Sequence, residues 1–349
     1  MHVIDVRNVR RSFRSSKKEE GLKGSLKLLY KPEYTSHEAL KGVSFQIEAG
    51  SFIGLIGENG AGKTTLLKIL AGLIPPSSGD ARVLGYEPFK RPLDFRHKIA
   101  LVMGQKAQLW WDLPAVDAFD LLRAIYEVPE KTYRERLNTL AELLDVKRHL
   151  NTQIRRLSLG ERMKMELIGA ILHWPSVIFL DEPTIGLDVL AAHKLREFLR
   201  EFNRREKATI ILTSHNMEDI QRLCPRILML RHGELIYDGP PSKLTSTGEQ
   251  RLRVRLMQNP SLEELATSAG VPAKAIEIGR REGENAEADA APSAHEGEES
   301  RLIYFNVKQD QIVPTLQKLM SRYQVVDMGI EEQSLEKVIQ RLYEENPTA

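Results

Sequence analysis

Cysteine is almost missing from this sequence: Cys224 is the one thiol in 349 residues, so no internal disulfide can staple the fold, and a reducing compartment fits. A lone cysteine of this kind reads as a small apolar core residue. Long hydrophobic runs are missing too. Apolar runs such as VIFL at 177 to 180 fall far short of the roughly 20 residues that span a bilayer. The opening stretch MHVIDVRNVRRSF lacks the apolar centre of a secretory signal, and the expectation is a chain that stays in the cytoplasm. Nor does one sign of charge dominate: 50 Lys and Arg against 48 Asp and Glu leave +2, which points away from nucleic acid and from an anionic lipid surface. What is present, 42% hydrophobic and 28% charged residues, suffices for a sizeable core divided between one large domain and a small one.

Short apolar runs bounded by Gly alternate with helical patterns up to about residue 245, the signature of βαβ units around a largely parallel sheet. SFIGLIG (51 to 57), KIALVMG (98 to 104), SVIFLD (176 to 181), ATIILTS (208 to 214) and RILML (226 to 230) are the expected strands. Residues 115 to 150 carry apolar residues at helical spacing with no strand between them, which predicts a helical subdomain spanning about 106 to 165. Residues 14 to 38, basic and partly amphipathic, read as a surface insertion with a short helix. Beyond about 250 a small α+β domain is expected, with strands at RLRVRL, RLIYFNV and QVVDMGI and helices near 310 to 321 and 334 to 345. The Glu- and Ala-rich stretch 281 to 300 divides it and reads as a disordered loop.

GENGAGKTT (57 to 65) has the spacing G-x-x-x-x-G-K-[ST] and sits between an apolar strand and a helix, the context in which such a loop wraps its backbone N–H groups around a phosphate chain. Lys63 reaches the β- and γ-phosphates and Thr64 offers a hydroxyl to Mg²⁺. By chance this string arises in roughly one chain in a hundred of this length. VIFLDEP (177 to 183) is an apolar strand ending in two carboxylates at the edge where parallel sheets bind ligands. Asp181 there can hold Mg²⁺ through water, and Glu182 can orient or deprotonate an attacking water. LSLGERMKMEL (157 to 167) looks like a helix start with Ser158 at the cap, a second anion-binding feature. His215 ends a strand, where it is either structural or a contact to the γ-phosphate or the water. On local pattern alone, Gln105 is a polar loop residue and Phe13 a core residue.

Together these residues resemble the nucleotide-binding subunits of ABC transporters. GENGAGKTT looks like the Walker A loop, Gln105 the Q-loop glutamine, LSLGE the signature, VIFLDE the Walker B strand, GLD (186 to 188) the D-loop and His215 the switch histidine, all in the family's order and covering about residues 1 to 245. The resemblance implies a P-loop NTPase (RecA-like) α/β core with antiparallel β and helical subdomains. It also implies ATP and Mg²⁺ as cofactors, the former held by Gly57, Glu58, Asn59, Gly60, Ala61, Gly62, Lys63, Thr64 and Thr65, with Thr64, Asp181 and Gln105 at the metal. Phe13 falls where the family stacks an aromatic on adenine. Two cassettes would close head to tail, so that Ser158, Gly160 and Asp188 of one subunit meet the nucleotide of the other. Leu159 and Glu161 depart from the usual LSGGQ; Ser158 and Gly160 are kept.

VVDMGIEEQSLEKVIQRLYEE resembles the C-terminal end of ATPases that serve ABC-2 type exporters, which implies a separate integral-membrane permease and a place at the cytoplasmic face of the membrane. The permease is expected beside Gln105, where Trp110 and Trp111 either meet it or pack in the local core. A soluble ABC ATPase acting on ribosomes or DNA is the alternative; it is disfavoured by the single uninterrupted cassette and by the near-neutral charge. A P-loop kinase or GTPase is disfavoured by the signature stretch and by the lack of an Asn-Lys-x-Asp string.

Overall fold

Residues 2–16, 34–104, 108–245, 249–279, 301–331, 335, 336, 338 and 339 are described by a computed structural model. Gln105, the stretch 281 to 300, the short helix expected within 14 to 38, and most of the helix expected at 334 to 345 lie outside these residues. The chain divides into two units, Met1–Pro240 and Pro241–Ala349.

The first unit opens on two long strands, β1 (His2–Ser16) and β2 (Tyr34–Glu48), paired antiparallel to their far ends, where Ser16 meets Tyr34. The insertion expected at 14 to 38 is therefore narrower: residues 14 to 16 and 34 to 38 belong to the ladder. Next come β3 (Phe52–Gly57), helix α1 (Lys63–Leu70), β4 (Ser78–Val83) and β5 (Ile99–Met103). The helices α2 (Ala115–Ile125), α3 (Glu130–Leu143) and α4 (Leu159–Ile171) follow with no strand between them. The unit ends with β6 (Val177–Asp181), α5 (Val189–Glu206), β7 (Thr209–Thr213), α6 (Met217–Leu223), β8 (Arg226–Arg231) and β9 (Glu234–Gly239).

All five expected strands are present, in a six-stranded sheet of order β5-β6-β7-β3-β8-β9 that is parallel except for β9. Their uninterrupted apolar runs reflect burial on both faces: Ile53, Leu55, Ile178, Phe179, Leu180, Ile211 and Leu228 are all buried. A second sheet, β2-β1-β4, is antiparallel, and its inner residues Ile4, Val6, Leu40 and Ile47 share one core with α1 and the parallel sheet. Cys224 is buried, as its composition reading expects. Among the described residues no helix is long and apolar enough to cross a membrane.

The second unit is a four-stranded antiparallel sheet, β11-β12-β10-β13, made of β10 (Glu249–Leu256), β11 (Ile276–Ile278), β12 (Arg301–Lys308) and β13 (Val325–Glu331). Helices α7 (Leu262–Ala269) and α8 (Ile312–Met320) supply Leu265, Ala269, Ile312 and Leu319 to a core with Leu252, Val254, Ile303 and Phe305. Ser261 caps α7 in a reciprocal box with Glu264.

Candidate functional site

The parallel strands deliver the GENGAGKTT loop, Asp181 with Glu182, and His215 to one edge, because each of these follows or ends a strand at its C-terminal end. After β3 the chain turns into α1 through Gly62, whose φ of +103° and position, 2.5 Å from the Ala39 carbonyl oxygen to any added Cβ, admit only glycine. Lys63, the first residue of α1, is buried and folds back so that its ammonium donates to the carbonyls of Gly57 (2.6 Å) and Glu58 (3.1 Å). Burial draws its pKa below the ordinary lysine value, against the opposing pull of Glu182 and Asp181.

Asp181, the last residue of β6, accepts from Thr64 Oγ1 at 2.9 Å and Thr213 Oγ1 at 2.7 Å, which gathers α1, β6 and β7 at one carboxylate. Glu182 follows with φ of +56°, a left-handed conformation that costs a non-glycine residue energy. Its N–H is held by Thr213, through the carbonyl at 3.1 Å and the hydroxyl at 3.0 Å. Its carboxylate meets His215 Nε2 at 3.0 Å. Thr64, Asp181, Glu182, Lys63 and His215 are thus brought together, and Thr64 with Asp181 presents the hard oxygen donors that suit Mg²⁺, an ion that takes few protein ligands and completes its shell with phosphate and water.

Phe13 is not in the core. Its ring, on β1, is 38% exposed with the Arg11 guanidinium 4.6 Å from its centroid. Ser158 does cap α4: its hydroxyl accepts from the Glu161 N–H at 3.3 Å and donates to the Glu161 carboxylate at 2.8 Å, while that carboxylate also accepts from the Ser158 N–H. These bonds draw the Glu161 pKa below its usual value. Asp188 caps α5 through the Ala191 N–H at 2.8 Å. The two helix starts touch: a Cβ at Gly186 would lie 2.6 Å from Leu159. Trp110 and Trp111 are both exposed, and Arg162 of α4 lies over the Trp111 ring at 5.3 Å.

Three supporting residues escaped the sequence reading. Gly104 lets the end of β5 run against Glu182, where a side chain would meet the Glu182 carbonyl at 2.2 Å. Asp219 is wholly buried and accepts from Thr184 and Ser214, each at 2.6 Å, and from Arg196 at 2.7 Å, which ties the segments beside Glu182 and His215 to one carboxylate. Glu166, buried on α4, accepts from the N–H groups of Gln108 and Leu109 at 3.0–3.3 Å, linking that helix to the segment next to the tryptophan pair. An acid within a helix looks like a solvated one in sequence; only a capping spacing such as Ser158-x-x-Glu161 or Ser261-x-x-Glu264 can signal a bonded one.

Fold and loop together define a P-loop nucleotide-binding protein. The family model described as "ABC transporter" matches residues 40–185. The chain is 34% identical over 202 residues to the ABC transporter ATP-binding protein NatA of Bacillus subtilis (strain 168), a match covering 58% of this chain and 82% of NatA. It is 33% identical over 217 residues to the Nod factor export ATP-binding protein I of Paraburkholderia xenovorans (strain LB400), covering 62% and 71%. Among solved structures, an ATP-binding subunit of an ABC transporter superposes with a TM-score of 0.57 at 25% identity over 69% of this chain and 91% of that one. The dimeric ATP-binding cassette MJ0796 bound to ADP and Pi shares the fold, with a TM-score of 0.57 at 23% identity over 68% and 98%. This chain belongs to the ATP-binding subunits of ABC transporters, a family that hydrolyses ATP.

Proposed function

We propose that the chain is the motor of an ABC-2 type export system, in which two cassettes close head to tail around two ATP molecules and drive a separate integral-membrane permease from the cytoplasmic face. The observation that carries the dimer is an uncovered face where the signature and D-loop meet: Leu159, Ile185, Leu190 and Val189 are all exposed there, Val189 by 84%, beside Ser158 and Gly160. Apolar side chains grouped this way mark a docking surface. Gly160 has room for a side chain within its own chain, since an added Cβ would lie 3.5 Å from Ala191 Cβ, an ordinary contact, so a substitution there tests the interface rather than the fold.

In this reading the backbone of Gly57 to Gly62 with Lys63, Thr64 and Thr65 binds the phosphates, and Phe13 stacks on adenine. Mg²⁺ held by Thr64, Asp181 and Gln105 would neutralise charge between the β- and γ-phosphates. Glu182 takes the proton of the attacking water as its oxygen bonds to the γ-phosphorus and the bond to the bridging oxygen breaks, giving ADP, phosphate and a proton. His215 fixes the carboxylate that does this. The partner's signature helix offers its N-terminal N–H groups and dipole to the same γ-phosphate, and Asp188 approaches across the interface.

Beside the end of β5 lies a cavity of about 440 Å³ whose walls include Leu73, Leu93, Met103 and Ile125, with Arg91 and Arg96 among its polar lining. An apolar groove with a basic rim suits an amphipathic helix carrying acidic residues, and this is where the permease docks. Glu166 then couples that segment to the signature helix. The export name of the Nod factor relative supports the direction of transport.

The test pairs one subunit carrying Lys63→Ala with one carrying Gly160→Asp, both also carrying Glu182→Gln to stop turnover. If each site is built from two subunits, one site receives both defects and the other neither, and the mixed dimer occludes one ATP. If each chain completes its own site, both sites are damaged and none is occluded. A count near zero, with the homodimeric controls empty and the Glu182→Gln parent filled, overturns the reading.

A further inference from the structure

The signature stretch departs from the family's pattern at Glu161, and the structure gives that carboxylate a partner from outside the stretch. His149 closes the one-turn helix Lys147–His149, upstream of α4. Its Nε2 stands 2.9 Å from Glu161 Oε1, with both side chains half-buried. The backbone fixes the ring's place: the His149 N–H donates to the Val146 carbonyl and its own carbonyl accepts from the Thr152 N–H, each at 2.9 Å. The next residue, Leu150, accepts from the Val116 N–H of α2 at 2.9 Å.

The Glu161 carboxylate is therefore divided between two partners. Oε1 meets the imidazole, while Oε2 accepts from the Ser158 N–H at 3.0 Å and from the Ser158 hydroxyl at 2.8 Å. A serine hydroxyl has one hydrogen to give. Ser158 gives it to Glu161, so a γ-phosphate arriving at this helix start must take it over. The glutamine usual in the family would yield that place and leave no charge behind. Glu161 stays ionised, because the Ser158 N–H foremost, then the Ser158 hydroxyl, His149 and Arg148, draw its pKa below the usual value against desolvation. A carboxylate and a phosphate at one helix N-terminus compete for the same N–H groups and dipole. His149 bonds the one oxygen that Ser158 does not use, and so can hold the carboxylate aside. Nε2 has a second neighbour, the Arg148 Nε–H at 2.9 Å. One ring nitrogen cannot donate to Glu161 and accept from Arg148 at once, so the imidazole has two arrangements, of which only the first restrains Glu161.

We propose that His149 is a positioning residue of the ATP site, donating through Nε2 to Glu161 so that the carboxylate stays clear of the γ-phosphate and the Ser158 hydroxyl is released to it. The inference rests on the head-to-tail reading above and deepens it. His149 touches no nucleotide; it acts through Glu161, and the two residues work as a pair in place of the family's glutamine.

The test uses the full-length Glu182→Gln chain, with ATP-driven dimerisation followed by sedimentation. His149→Ala should weaken that dimer several-fold, because Glu161 is left unrestrained beside the phosphate. His149→Gln, whose amide N–H can take the place of Nε2–H, should restore most of the loss. Adding Glu161→Gln to His149→Ala should erase it, bringing the dimer to the strength of Glu161→Gln alone, since no charge remains to hold aside. Damage to the fold around His149 would persist in that double variant. An unchanged or tighter dimer in His149→Ala overturns the proposal, and so does a loss of equal size in the Glu161→Gln background. The head-to-tail reading fails on a different result, an empty mixed dimer in the pairing of Lys63→Ala with Gly160→Asp. If only the role of His149 is wrong, that pairing still occludes one ATP.

Discussion

Replacing Phe13 by Ala tests the adenine contact, and the structure sets what should follow. The ring stands at the surface of β1 rather than in the core, so removing it opens no interior cavity. Arg11 occupies one face at 4.6 Å and is itself anchored, its Nη1 donating to the Pro75 carbonyl at 3.0 Å. The ring is 38% exposed, which leaves surface on which a base can stack. Base–aromatic stacking is worth roughly 1–3 kcal/mol by alanine substitution, so Phe13→Ala should weaken ATP binding about 5- to 150-fold. Phe13→Tyr keeps the ring and should be nearly silent.

The guanidinium adds a finer expectation. A cation–π contact at an exposed site contributes roughly 0.5–1 kcal/mol, so Arg11→Ala should weaken ATP binding about 2- to 5-fold. If Arg11 acts only by presenting the ring, the double variant should be no worse than Phe13→Ala, a non-additivity that direct contact with the phosphates would not produce. Titration calorimetry on the Glu182→Gln chain supplies the affinities, with inorganic triphosphate as the ligand that lacks a base. Its binding should be unchanged in every variant. An unaltered ATP affinity in Phe13→Ala refutes the stacking, and an equal loss of ATP and triphosphate binding refutes it as well, since that would place the effect in the loop.

Two further outcomes follow from other residues. Glu161 puts a carboxylate where the family's signature has an amide and engages the Ser158 hydroxyl at 2.8 Å; Glu161→Gln keeps the capping geometry and removes a negative charge, so the ATP-driven dimer of the Glu182→Gln chain should tighten several-fold by sedimentation, and an unchanged or weaker dimer would show that this helix start does not face the phosphate. His173 stacks on Tyr126 at 3.9 Å, and burial lowers its pKa from 6.5 to about 4; between those values the unfolded chain takes up a proton that the folded one does not, so stability present above pH 6.5 is lost as the pH falls toward 4, by about 3 kcal/mol. His173→Phe, which keeps the stacked ring and cannot titrate, should show a shallower fall in melting temperature from pH 7 to 4.5; an unchanged slope would remove His173 as the cause.

The parallel sheet was legible because its strands are buried on both faces, so each reads as an apolar block: VIFL and IILT leave no other reading between glycines and polar turns. Helices α2 and α3 were legible for a related reason, since Phe119 and Leu140 recur at helical spacing toward a core with no strand to interrupt them. The antiparallel sheet was not. β1 alternates Val and Ile with Asp and Arg, its ladder with β2 shifts register repeatedly, and residues 17 to 33 separate the two strands. β9 carries one half-exposed residue after another, and no block of apolar sequence marks it. Helix α7 was overlooked although Ser261-x-x-Glu264 announces its start in the same way that Ser158-x-x-Glu161 announces α4.

The same division runs through the site. Residues proposed to touch nucleotide lie in short contiguous stretches, because a phosphate chain is small and each strand end can present it only a few groups. Their supports are distant in sequence: Gly104 against Glu182, Glu166 beneath Leu109, Asp219 beneath Thr184 and Ser214. A buried carboxylate that accepts three hydrogen bonds has no local signature, since what makes it legible is the arrival of its partners from other elements. The strained φ at Glu182 is equally silent in sequence; Thr213, which holds its N–H, and Gly104, which makes room for its carbonyl, come from two different strands. Motif spacing therefore locates the reacting groups, while their orientation depends on how β5, β6 and β7 are laid side by side.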